Sequence, residues 1–430
     1  MSGDGPPPEG GRPPASPPVA PRHAPPRSNW AALRHRGFVF FWSSRAATSF
    51  ATQIISVSVG WQVYDLTRDP FYLGLVGLFQ FLPSLALVLV TGAAADRFNR
   101  RLIVAVCQIA EALCAAALLL FTLKGSGPVA AIFAILVAFG VARAFYNPSS
   151  QSLIPNLVPT EDLASAIAMS TTAWQLATIA GPVAGGLLYG LAPEVAYGVA
   201  LALFAGGAVL IALVPKPGQK TVAEPPTWAT VIAGFRYVWH EKIVLGAISL
   251  DLFAVLLGGA TALLPAYARD ILVVGPWGLG LLRSAGGIGA IGVAIYLTAH
   301  PVRDHAGLIM FVCVALFGLF TVVFGVSTLV WLSVAALALM GAADMVSVYV
   351  RETLIQMWTP DAVRGRVNAV NMVFVGASNE LGEFRAGSVA ALIGVVPAVV
   401  FGGIGTVVVA ALWAKTFPAL RRARHLDGRP

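Results

Sequence analysis

The sequence predicts an all-α membrane protein with twelve transmembrane helices in two pseudo-symmetric six-helix bundles. Three observations lead there: scarce charge, long neutral runs and an internal echo. Charged residues are 11% of the 430-residue chain and hydrophobic residues 57%, against roughly 25% charged in an average soluble protein. So few charges cannot coat a soluble globule of this size. Mean hydropathy is +0.78. The stretches 306–343 and 386–414 contain no Asp, Glu, Lys or Arg, and about 20 apolar residues suffice to cross a bilayer.

Residues 1–34 differ from the rest. Their repeated Pro, Ala, Ser and Arg cannot bury a core, so a disordered tail is expected, and no apolar segment of a cleavable leader is present there. Twelve apolar spans follow, at 38–64, 71–94, 102–123, 128–147, 163–190, 195–215, 243–267, 277–299, 306–326, 329–350, 366–393 and 396–417. The connections alternate between basic and nearly charge-free. Assigned this way, 22 of the 28 Lys and Arg residues, Arg143 and Arg351 among them, fall on the side of the termini. Arg68, Lys124 and Arg269 fall on the other, and Arg45, Arg283 and Arg385 lie within spans. The positive-inside rule then puts both termini in the cytoplasm. The net charge of +8 is absorbed by this bias, so no nucleic-acid partner is expected.

The longest polar connection, 216–242, divides the chain into an N-terminal bundle at 35–215 and a C-terminal bundle at 243–418. Its later part, 228–242, mixes aromatic and basic residues and reads as a helix on the membrane interface. A basic tail, 419–430, follows the last span. The halves echo each other at an offset of 201 residues: Gly140 with Gly341, Pro159 with Pro360, Gly181 with Gly382 and Gly186 with Gly387. Duplicated membrane halves place a substrate path near the midplane, at their interface.

The loop after the second span reads Gly92-Ala93-Ala94-Ala95-Asp96-Arg97-Phe98-Asn99-Arg100-Arg101. It resembles the signature loop of the major facilitator superfamily, with Ala94 where Leu is usual and Asn99 where Gly is usual. Asn tolerates a left-handed backbone, which the turn would need if Asn99 replaced that glycine's geometry. The resemblance implies a cytoplasmic gate in which Gly92 permits close helix approach and Asp96 caps the eleventh span near Arg366. Arg97 and Arg101 would add breakable ion pairs, and Asp344, near the same face, is read as a structural gate partner. Gly181-Pro182-Val183-Ala184-Gly185-Gly186 resembles the glycine-proline motif of superfamily exporters. It is equally well read as a kinked packing helix, with Gly181, Pro182, Gly185 and Gly186 making the contacts.

The stretches Trp61–Thr67, Asn147-Pro148, Leu153–Pro155, Arg364–Asn371 and Ser378–Phe384 are similar to the enterobactin-exporter-like branch of that superfamily, which holds siderophore and drug exporters.

Ionisable groups at bilayer depth cost roughly 2.5–3.5 kcal/mol even on the lenient insertion scale, so they face the protein interior. Glu111, Asp251, Glu380 and Glu383 are the proton-coupling candidates. Glu380 and Glu383 lie one turn apart on one helix face; Arg283 or Arg385 would pair with Glu383 in a purely structural alternative. Arg45 is read either as an anion contact or as the partner of a carboxylate. Arg45, Gln53, Trp174 and Asn379 are the substrate-cavity candidates.

The leading expectation is therefore a proton-coupled secondary exporter of a small amphipathic molecule, siderophore or drug-like, working by alternating access. It would act as a monomer in a bacterial-type cytoplasmic membrane. The alternatives are a transporter of another metabolite, an importer of the same fold, or a transporter-derived membrane sensor. No enzyme is expected, because no phosphate-binding loop, HExxH or GxSxG triad occurs. No cofactor or metal is expected either: Cys107, Cys114 and Cys313 have no ligand spacing.

Overall fold

The computed structural model describes residues 30–125, 127–216, 235–302 and 304–422. Twelve long helices run through them: α1 (Arg36–Thr67), α2 (Pro70–Arg97), α3 (Arg100–Leu123), α4 (Val129–Leu153), α5 (Leu163–Leu191) and α6 (Pro193–Ala212) in the first half. The second half holds α7 (Lys242–Gly258), α8 (Gly275–Ala299), α9 (Ala306–Val326), α10 (Val330–Trp358), α11 (Asp361–Ile393) and α12 (Val395–Thr416). Among the described residues nine spans are long and apolar enough to cross a membrane. The three helices outside that set are α1, α5 and α11, of 32, 29 and 33 residues. Their length suffices; their hydropathy is diluted by polar residues.

Short connections end in local chemistry that stops and restarts the helix. Asp69 accepts from the Phe71 amide at 2.9 Å and Pro70 opens α2. Gly394, with φ of +93°, makes the turn between α11 and α12, a conformation that a side chain would strain. Asn99 has φ of −64°, so the left-handed turn is not used. Its side chain instead accepts from the amides of Arg101 and Leu102 at 3.0 and 3.4 Å, capping α3. That gives the departure from the superfamily pattern a structural use.

Three of the four echoed pairs occupy matching helix crossings. Gly140 of α4 lies against the Gln80 backbone of α2, and Gly341 of α10 against Gly286 of α8. Gly181 of α5 meets Gln53 of α1, and Gly382 of α11 meets the backbone of Val255 and Leu256 in α7. Gly186 of α5 meets Pro276 and Gly280 of α8, while Gly387 of α11 meets Pro70 and Gly74 of α2. At each crossing a β-carbon would fall inside contact distance of the neighbouring helix, so small residues set the spacing. The remaining pair also matches: Pro159 precedes the turn that leads into α5, and Pro360 is the N-cap of α11.

The first two crossings organise each half. The third joins the halves, α5 to α8 and α2 to α11, toward the face opposite the termini. Nearer the terminal face the same four helices expose large side chains, among them Ile167, Leu85, Ile295 and Met372. The closest glycine crossings between the halves therefore lie toward the face opposite the termini.

Several sequence expectations need correction. Within the stretch read as a disordered tail, Ala31–Arg34 forms a 3-10 turn with Ala31 and Ala32 buried. His35 bonds Asp162 at 2.8 Å. The rest of that tail, residues 1–29, lies outside the described residues, as do 217–234 and 423–430. Of the interfacial helix placed at 228–242, residues 235–240 are helical. Val238 is buried with Val244, Ile355 and Val367, so this turn is docked on the second half. Arg143 and Arg351, counted with the terminal face, lie within α4 and α10: Arg143 falls inside its own predicted span, 128–147, and Arg351 is helical because α10 runs past the predicted end at 350, to 358.

Candidate functional site

The seventh span is broken. After α7 the chain passes Gly259, a 3-10 turn at Thr261–Leu263, one helical turn at Leu264–Ala266 and a π-turn at Tyr267–Ile271. Irregular backbone at membrane depth is tolerated where it lines a cavity or is buried in protein. Here Thr261, Ala262 and Pro265 line a cavity of about 130 Å³. Its other walls come from α1 (Ser56, Gly60), α2 (Gly77, Gln80), α8 (Arg283) and α11 (Glu380, Glu383). The cavity lies between the two halves.

Both glutamates point at Gly77. A β-carbon on that residue would fall 2.7 Å from Glu380 Oε2 and 2.8 Å from Glu383 Oε2. Glycine therefore leaves the room that two carboxylates one helical turn apart occupy. Arg283 lines the same cavity but forms no ion pair within 4.0 Å among the described residues. Arg385, the alternative partner of Glu383, instead donates to the Leu257 carbonyl at 2.5 Å, securing α11 to the end of α7.

Glu111 is elsewhere, wholly buried inside the first half. Among the described residues neither of its carboxylate oxygens has a hydrogen-bond partner. Around it lie polar groups of α1, α3 and α4: Gln108 of α3 donates to Ser44 and Thr48, both at 2.8 Å, Arg143 donates to Thr52 at 2.9 Å, and Arg45 reaches Ser150 at 3.4 Å. Arg45 is thus tied to a serine and not to a carboxylate.

Asp251 of α7 is ion-paired with Arg351 of α10, both nearly buried. Arg351 also faces Glu352 at 3.7 Å, and Glu352 accepts from Asn371 of α11 at 2.8 Å. Asp344 shares a small cavity with Asp251, Ser347 and Phe317. It is placed within the second half, away from the loop containing Asp96.

The remaining gate residues are not assembled. Asp96 lies 3.5 Å from Arg100, and Arg100 also donates to Ala95, Ser152 and Asn156. Arg101 donates to the Ala212 carbonyl at 2.7 Å, on α6. Arg97 and Arg366 are exposed. Among the described residues Asp96 makes no contact with α11; its partner is Arg100, one turn along the chain.

At the opposite face the halves are held by a charged cluster that sequence reading did not identify. Asp65, at the end of α1, is ion-paired with Arg269 of the π-turn, and Tyr64 donates to Asp270. Arg68 sits 3.5 Å from Asp270, and the Arg269 guanidinium lies over the Trp61 ring at 5.5 Å. The Trp61–Thr67 stretch had been noticed only as a family resemblance. Gly77, Gln80 and Arg143 were also missed; a charge fourteen residues into α4 was the one signal available.

Of the substrate-cavity candidates, none lines the cavity of Glu380 and Glu383. Gln53 packs under Gly181. Trp174 and Asn379 are exposed on α5 and α11, Asn379 donating to Val375 at 2.9 Å. Pro182 lies inside α5, with Gly185 against Ile54 of α1.

These features have relatives. The transmembrane secretion effector family model matches residues 27–428. The enterobactin exporter EntS of Citrobacter koseri is 25% identical over 399 residues, covering 91% of this chain and 94% of that protein. EntS of Escherichia coli O1:K1 / APEC is 25% identical over 407 residues, with the same coverage. Among solved structures, a bacterial homolog of the human lysosomal transporter Spinster, inward-facing and unoccupied, superposes with a TM-score of 0.69 at 13% identity. It covers 90% of this chain and 98% of its own. A bacterial homologue of the iron transporter ferroportin, also inward-facing, gives 0.64 at 15% identity, over 90% and 98%. The chain belongs to the transmembrane secretion effector family, and is a multi-span membrane transporter of the major facilitator type.

Proposed function

We propose that this protein is a secondary active exporter that exchanges protons for a small amphipathic molecule, siderophore or drug-like, by alternating access. The observation that carries this reading is the pair Glu380 and Glu383, set against Gly77 in a cavity between the halves. Two acids one turn apart repel when both are ionised, so one proton gained or lost changes the charge of the cavity where the halves meet. Glu111, without hydrogen-bond partners, and Asp251, held by Arg351, are the secondary candidates.

With both termini cytoplasmic, as the Lys and Arg bias argues, the face where Asp96 pairs with Arg100 and not with α11 is read as the one open to the cytoplasm, and the charged cluster closes the outside. Reorientation would break the cluster of Asp65, Arg269 and Asp270 and bring Asp96 to the positive N-terminus of α11, where a carboxylate is favoured. The protein then acts as a monomer in a bacterial cytoplasmic membrane. The naming of the relatives as exporters of enterobactin supports the outward direction and the amphipathic substrate class.

The test is substrate-stimulated proton release from purified carrier together with uphill export from vesicles, comparing the native protein with Glu380→Gln, Glu111→Gln and Asp251→Asn. Loss of proton release in Glu380→Gln with substrate binding retained is the expected result. Undiminished release and export in all three variants would remove the coupling assignment. Metabolite profiling of the medium and cytoplasm of a deletion strain identifies the substrate.

A further inference from the structure

A second cavity, larger than the one between the halves, opens on the membrane-facing side of the first half. It is a groove of about 450 Å³ between α3 and α4. Small residues create it: Ala110 on α3, Ala138 and Ala142 on α4, and Ala94 at the end of α2. Its rim is large and apolar, with Phe98, Leu102 and Val106 exposed. These belong to the stripe of α3 that continues through Ile109 and Leu113, also exposed, which is the face a helix turns to lipid.

The groove is polar only at one end. It starts at Phe98 and Asn99, in the loop on the terminal face, and runs inward to Ala110. Eleven residues of helix make roughly 16 Å, close to half of a hydrocarbon core of about 30 Å. The groove is therefore about as deep as one leaflet. Above its mouth the loop carries Arg97, Arg100 and Arg101, against a single carboxylate, Asp96, which lies beside Arg100. Arg97 is exposed, and Arg101 is anchored to α6 through Ala212. A one-leaflet apolar slot under a cationic rim complements a molecule with an acyl chain and an anionic head.

The geometry points to a bound anionic phospholipid, one acyl chain in the α3–α4 groove and its phosphate beside Arg97, the exposed arginine of the loop. The lipid head would then compete with carboxylates for Arg97. The site is separate from the cavity of Glu380 and Glu383 and does not depend on how that cavity works.

Native mass spectrometry of the full-length protein, exchanged from detergent into mixed micelles with phosphatidylglycerol or phosphatidylcholine, tests it. One retained phosphatidylglycerol is expected, with phosphatidylcholine retained less. Ala138→Phe, which fills the slot, should abolish retention, and Ala142→Leu serves if that variant does not fold. Arg97→Gln should weaken retention about fivefold, the effect of one interfacial arginine. Val209→Phe, on the exposed face of α6, should change nothing. Equal retention of the two lipids, or unchanged phosphatidylglycerol in the filled-groove variant, would overturn the proposal.

Discussion

Arg269, in the π-turn that ends the broken seventh span, is ion-paired with Asp65 at the last turn of α1. The pair crosses from one half of the molecule to the other. Trp61 stacks beneath the same guanidinium, and Tyr64 and Arg68 take up the neighbouring Asp270. Asp65 is 45% exposed at the side chain and Arg269 23%. Each contact in so wet a site is worth about 0.2–1 kcal/mol; in the proposed alternating-access cycle, the cluster as a whole sets the balance between the closed and open states of this face.

Asp65→Asn or Arg269→Gln should therefore move the population toward an outward-open form. Spin-label distances between positions 66 and 273, one in each half, should lengthen or broaden in either variant. The exchanged pair Asp65→Arg with Arg269→Asp should restore the native distribution in part. Distances unchanged in both single variants would show that the glycine crossings alone hold this face shut.

Gly77→Ala tests the convergence of the two glutamates. The added methyl would sit inside contact distance of both carboxylates, so one must swing away. Overpacking of this kind costs about 1–3 kcal/mol. The protein should insert and purify normally while transport falls about tenfold or more, since 1.4 kcal/mol is one decade. Gly206→Ala, at a position where an added β-carbon meets nothing within 4 Å, should leave transport and yield near native.

The Asp251–Arg351 pair predicts a stability effect. Removing one member of a buried ion pair costs about 3–5 kcal/mol, because the other charge is left without compensation. Arg351→Met should lower the melting temperature of the detergent-purified protein markedly. The double variant Asp251→Leu with Arg351→Met should recover much of that loss, measured by nanoscale fluorimetry. A double variant no better than the single one would mean that Arg351 stabilises through Glu352 instead.

Topology can be read by labelling. In a variant without native cysteines, an impermeant thiol reagent should reach Lys124→Cys in intact cells and Asp304→Cys only after permeabilisation. The reverse pattern would invert the assignment of the faces, and with it the inward-open reading of this state.

Much of the architecture was legible because it is local in origin. Bilayer thickness fixes how many apolar residues make a span, and turn chemistry such as Asp69-Pro70 or Gly394 fixes where one ends. The duplication was legible from three glycine pairs and one proline pair, since the positions where two helices meet closely favour the absence of a side chain. The placement of Glu111, Glu380 and Glu383 inside the membrane also followed from counting along helices.

What helices meet, and in which state, was not in the one-dimensional pattern. Arg351 looked like a boundary charge because hydropathy marks the ends of apolar runs, whereas α10 extends beyond its run to Trp358. The sequence by itself determined a duplicated polytopic membrane protein with acids buried in it. The tertiary structure decided that Glu380 and Glu383 face Gly77, that Arg351 holds Asp251 and that Asp96 sits beside Arg100. The first two depend on the rotation of one helix against another, set by contacts between residues far apart in the chain; the third is a contact within one turn of the loop, kept where Asp96 does not reach α11.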